Sequence, residues 1–132
     1  MGRLVLLALL AGACGQAGVE ELSLRLETRA LGPGDVGSVL VLVLGGERAT
    51  CDRVRATMDP LDDPELEVLR HALFTADGTA KRLNVPAEVP LVFYAQAFRS
   101  ADGRRPAIGT GCVETTLPSG KSAGVNIVIT GN

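Results

Sequence analysis

The 132-residue chain has no tryptophan, one tyrosine and three phenylalanines. Its core must therefore be assembled from Val, Leu, Ile and Ala. It has a single histidine, His71. A catalytic histidine needs a nucleophile and an orienting partner, and no residue pattern nominates either. His71 reads as a surface or edge-strand residue. Two lysines stand against eleven arginines, and the formal net charge is −2, so no basic face points to nucleic acid. A transmembrane helix needs about 20 apolar residues, and the apolar run at the start of the chain extends only from Leu4 to Ala13. Proline/serine linkers, long charge runs and internal repeats are also missing, which leaves room for one domain.

What is present begins with that apolar run. Arg3 precedes it, and Leu10-Ala11-Gly12-Ala13-Cys14 ends it. A positive residue, a short apolar stretch and small residues at a cut site form a secretory signal. The cysteine directly after the small residues makes the stretch resemble the bacterial lipobox, although Ala11 stands where the strongest form has leucine. The resemblance implies that residues 1–13 are a lipoprotein signal peptide, cut off before Cys14, and that the Cys14 thiol takes a diacylglycerol carrying palmitate-type acyl chains. Residues 14–19 would be a tether and 20–132 the folded domain. Each buried acyl CH₂ contributes about 0.8 kcal/mol, so several chains hold far better than one. Gly15 follows the cysteine, and by the family rule a residue other than aspartate there implies the outer membrane. Plain secretion with Cys14 as a bystander is the simpler alternative. The excess of arginine over lysine, with abundant Gly and Ala, fits a GC-rich bacterial genome. Removing the first 13 of the 132 residues leaves 119, with 12 basic and 15 acidic residues once Arg3 is gone.

The remainder reads as strands. Glu20 to Arg29 alternates, with Leu22, Leu24 and Leu26 on one face. Gly32-Pro33-Gly34-Asp35 is a turn. Val36 to Leu44 is apolar on both faces, as expected of a central strand, and Gly45-Gly46 closes it. Thr50 to Thr57 alternates again and reads as a strand carrying Cys51. An acidic loop with two prolines follows from Met58 to Pro64. Glu65 to Phe74 fits either a helix capped by Asp63-Pro64 or an edge strand, and its β-rich surroundings favour the strand. Thr79 to Val85 and Val89 to Arg99 are strands. Ser100-Ala101-Asp102-Gly103 reads as a tight hairpin turn, with Arg105 to Leu117 returning. Gly109 and Gly111 in that strand suggest a bulge or the close approach of another backbone. Pro118 to Lys121 turns the chain, and Gly124 to Thr130 ends it. The expected class is all-β, a single antiparallel β-sandwich.

The segment from Val85-Pro86 through Phe93-Tyr94-Ala95-Gln96-Ala97-Phe98, Ala101-Asp102-Gly103 and Gly111-Cys112 to the last strand resembles the small immunoglobulin-like or transthyretin-like sandwich domains of bacterial lipoproteins. The likeness covers roughly the last third of the chain. It implies a fold and leaves function open.

Several motifs carry less than their letters suggest. Gly32-x-Gly34-x-x-Gly37 matches a dinucleotide fingerprint, but the fingerprint needs a helix next, and Val39 to Leu44 is a poor helix. The glycines are expected to serve a strand-to-strand turn by allowing positive φ. Gly120-Lys121-Ser122 has the end of a phosphate loop, with Thr115 where its first glycine belongs. Asp59, Asp62, Asp63, Glu65 and Glu67 could offer oxygens to Ca²⁺, yet their order is not that of an EF-hand and prolines stiffen the loop. A solvated acidic loop is expected instead. Phe93, Tyr94 and Phe98 are accounted for by strand packing. No metal or other cofactor is nominated.

Cys51 and Cys112 remain once Cys14 is assigned to lipid. In an oxidising compartment an even pair implies a disulfide, with the Cα atoms about 4.4–6.8 Å apart. A metal pair and two buried free thiols are the other readings. The sequence thus points to a lipid-anchored binding or accessory module of the bacterial envelope, not an enzyme. Its partner, a protein or a small molecule, is left open. The rival readings are a periplasmic enzyme with an unrecognised site and a structural subunit that pairs through a sheet edge.

Overall fold

A computed structural model describes residues 18–32, 34–57, 59–75, 81–120 and 122–132. Cys14, the signal segment and most of the tether lie outside the described residues. Seven strands and one short helix follow in order: β1 (Gly18–Arg29), β2 (Ser38–Gly45), α1 (Cys51–Arg55), β3 (Glu67–Thr75), β4 (Lys81–Pro86), β5 (Pro90–Phe98), β6 (Gly109–Thr116) and β7 (Ala123–Gly131). The protein is all-β in class. Its strands form one sheet in the order β3-β2-β5-β6-β7-β1-β4, rolled so far that the two edge strands, β3 and β4, come into contact.

The sheet is mixed. All pairings are antiparallel except β1 with β7, which run parallel from Leu22↔Ala123 to Arg29↔Thr130. Rolling the sheet brings the first and last strands side by side, and local periodicity carries no information about that direction. The roll has a seam. Between β6 and β7 only Gly109↔Gly131 and Thr110↔Thr130 pair, so β3-β2-β5-β6 and β7-β1-β4 face each other much as two sandwich layers do.

The main core fills the space between those halves. Leu22 and Leu24 of β1, Val39, Val41 and Val43 of β2, Phe93 and Ala95 of β5, and Val125, Ile127 and Ile129 of β7 meet there. Period-2 alternation points each of these sets inward. β2 is apolar on both faces for a separate reason. Its valines enter the main core, while Leu42 and Leu44, with Leu40 partly buried, face outward into a second cluster with Val92 and Tyr94 of β5. That outer face is roofed by the segment between β2 and β3, which contributes Cys51, Val54 and Leu66.

Three local expectations change. Residues 50–57 are not a strand. Thr50 caps α1, its hydroxyl accepting from the Arg53 N–H at 3.1 Å, and Cys51 and Val54 are buried from one face of the turn. The periodicity misleads because Val54 and Ala56 alternate with Arg53, Arg55 and Thr57 as in a strand, while Cys51 and Val54, three apart, share a face only on a helix. The hairpin after β5 is longer than two residues. Gly103 takes φ +72°, but β6 begins at Gly109 and not at Arg105, since Pro106 has no N–H to give a ladder. Residues 32–35 do form a turn, closed by Asp35 N–H to the Gly32 carbonyl at 3.0 Å, and a strand follows, not a helix. Positive φ in that region belongs to Ala30, at 59°. Gly37 instead permits close approach, because a Cβ there would fall 2.3 Å from the Arg99 carbonyl oxygen. Edge strand β3 and its exposed His71 agree with the sequence reading.

Candidate functional site

Cys51 and Cys112 form a disulfide with Cα atoms 5.8 Å apart, inside the expected range. The bond ties α1 to β6. The Cys51 N–H also donates to Glu114 Oε2 at 3.1 Å, so two residues of β6 grip the first turn of the helix. A five-residue helix is too short to persist in water alone, and these attachments, with buried Val54, hold it on the sheet.

Arginines neutralise the acidic loop beyond α1. Arg53 Nη2 lies 2.9 Å from Asp63 Oδ2 and 3.0 Å from Glu65 Oε2. Arg105 reaches Asp59 at 2.8 Å and Arg48 reaches Glu65 at 3.5 Å. The Asp63 carboxylate also accepts the Glu65 N–H at 2.9 Å. That backbone hydrogen bond, followed by Arg53, holds Asp63 below the ordinary aspartate value. Asp62 moves the other way, raised by its neighbour Asp59 through a shared hydrogen bond and like charge. The loop is thus an ion-paired brace for α1 rather than a freely solvated one. Among the described residues, no three His, Cys, Asp or Glu side chains come together as metal ligands.

Where β6 and β7 part, a cleft of about 500 Å³ opens, with α1 along one side. Arg55, Thr110, Cys112, Asn126, Thr130 and Asn132 are among its lining residues. The strands stay close at its base because Gly111 has no side chain. A Cβ there would sit 2.2 Å from the Val128 carbonyl oxygen, and one on Gly109 would sit 2.9 Å from that of Thr130. These contacts bear out the close backbone approach expected at the two glycines. Two lining asparagines donate to groups outside the lining: Asn126 Nδ2 to Glu27 Oε2 at 3.3 Å and Asn132 Nδ2 to the Ala107 carbonyl at 3.1 Å.

Arg55 is exposed in the last turn of α1, where its positive charge suits the negative end of the helix dipole. Among the described residues no carboxylate pairs with it. Its charge reaches the phenol of Tyr94, a buried ring of the second cluster whose hydroxyl lies near Thr110 and Gln96. Burial raises the Tyr94 pKa, while Thr110, Arg55 and Gln96 pull it back.

The structure therefore brings together the two cysteines singled out in the sequence and leaves His71 apart from them, exposed on β3. The cleft and Arg55 were missed because residues 50–57 read as a strand. Thr50 as a cap, Asp52 in the first turn and Arg53 and Arg55 in the last would have suggested a short helix. No protein-family model matches this chain, and no curated protein matches it.

Proposed function

We propose that this chain is a lipid-anchored binding module of the bacterial envelope, held to the membrane through Cys14 and presenting the β6–β7 cleft to its surroundings. The observation that carries the reading is the Cys51–Cys112 bond. Disulfides persist in oxidising compartments, and this one uses two of three cysteines. Cys14 is then the odd cysteine, at the end of an apolar run and small residues of lipobox type. A binding role is favoured over catalysis because the polar side chains that line the cleft are hydroxyls, amides and one guanidinium, with no nucleophile–base pair among the described residues lining it.

Mass spectrometry of the membrane fraction is expected to find the mature N-terminus at Cys14 with acyl chains attached. Cys14→Ser is expected to release the protein or leave it unprocessed. Unchanged processing and membrane association in that variant would reject the anchor. Gly15 implies the outer membrane, and fractionation with the inner membrane would contradict that placement.

A further inference from the structure

We propose that the β6–β7 cleft takes a small acidic saccharide, a ligand with one carboxylate and several hydroxyls. The inference rests on the binding-module reading and names its ligand class. Among the described lining residues Arg55 is the one charged side chain. A guanidinium with no carboxylate partner among the described residues, beside a concavity, is suited to a bidentate pair with a ligand carboxylate. Its base is fixed, because α1 is tied down by the disulfide, by Val54 and by the Thr50 cap.

The rest of the lining matches hydroxyl groups. Thr110 and Thr130 can each donate and accept. Asn126 and Asn132 use their amide nitrogens in hydrogen bonds to Glu27 and Ala107, and their carbonyl oxygens can accept. A sugar hydroxyl needs that mixture of donors and acceptors. The volume of about 500 Å³ falls within the roughly 300–1,000 Å³ of small-molecule sites.

Other ligand classes fit less well. A polyphosphate calls for several cations, and the cleft offers one. A nucleic-acid strand calls for a basic groove with aromatic platforms, and Tyr94, the chain's one tyrosine, is packed into the second cluster. A peptide would bring apolar side chains, for which Val113 and Val128 are the main apolar surface.

The test uses the full chain, extracted in detergent with its disulfide intact, and titrates it with glucuronic acid, glucose and inorganic phosphate. With no tryptophan present, intrinsic fluorescence comes from Tyr94, beside the cleft residue Thr110. Backbone amide shifts of Thr110, Asn126 and Thr130 give a second readout. Glucuronate is expected to saturate, and to bind about tenfold or more tightly than glucose or phosphate, a difference of about 1.4 kcal/mol. Arg55→Ala should bring glucuronate down to the glucose level with an unchanged melting temperature, and Arg55→Lys should restore part of the difference. Equal binding of glucose and glucuronate would overturn the role of Arg55, and equal binding of phosphate would reduce the cleft to a general anion site. If glucuronate fails while glucose or phosphate shifts the cleft amides, the ligand class falls and the binding reading stands. If none of the three moves them, both fall.

Discussion

The two apolar clusters of this protein are held by different means. The main core is enclosed between the halves of a rolled sheet, and almost all its members come from strand faces whose alternation is written in the chain. The second cluster lies outside the sheet. Its floor is the outer face of β2 and β5, and its roof is one short helix and a loop, fastened by a disulfide, a capping threonine and arginine–carboxylate pairs. Repetition along many strands supplies the first, so no single attachment decides it. The second depends on a few long-range attachments to a segment with little regular structure of its own. Segments of that kind open locally before the whole fold does.

The largest effect is expected at the centre of the main core. Phe93 is fully buried between the sheet halves, and Phe93→Ala should cost about 3–5 kcal/mol. Denaturant unfolding should show this as a lower midpoint with all probes moving together. A change confined to the α1 region would mean that the two clusters are not organised as described.

Next comes the staple of the second cluster. The disulfide closes a separation of 61 residues, for which the chain-entropy model gives roughly 4 kcal/mol. Cys51→Ala with Cys112→Ala should lower stability by about 2–4 kcal/mol. Amide exchange should then rise first in residues 49–57, while the β5 amides stay protected. Uniform loss of protection would show that the bond supports both clusters alike.

A smaller loss is expected at the seam that positions the cleft. Gly111→Ala would place a methyl group against the Val128 carbonyl, 2.2 Å from its oxygen. Overpacking of that kind costs about 1–3 kcal/mol, and the amides of Thr110 and Thr130 should shift as β6 and β7 separate. Unchanged stability and shifts would show that the strands do not cross so tightly.

The smallest effect concerns the brace beneath α1. Asp63 is held below the ordinary aspartate value of 3.8 by the Glu65 N–H and by Arg53. Its contribution is therefore complete above that value and is lost as the pH falls through the lower folded value. An NMR titration should find Asp63 ionising below 3.8, with amide protection of α1 fading over the same range. Asp63→Asn should abolish that fading, and an unshifted Asp63 would show that the ion pairs do not brace the helix.

Much of the main core was legible in the chain. Leu22, Leu24 and Leu26, the valines of β2, and Val125, Ile127 and Ile129 alternate at the strand period, and that period is a local property of the backbone. The pairing of Cys51 with Cys112 followed from cysteine parity once Cys14 was set aside, because the oxidation of an even pair is a matter of chemistry and compartment. α1 was not legible. Cys51 and Val54, three residues apart, share a face on a helix and not on a regular strand, but five residues are too few for that period to stand out, and the decision fell to a cap, a disulfide and a roofing contact made across the chain.

The sequence by itself determined that the protein would be all-β, with a core of aliphatic side chains and two cysteines to join. The tertiary structure alone decided that β1 and β7 would run parallel, that the sheet would part between β6 and β7, and that Arg55 would stand beside that opening. Strand content and inward faces depend on neighbours one and two residues away. Strand direction, a seam and a cleft depend on how segments about a hundred residues apart pack, and no local pattern records that.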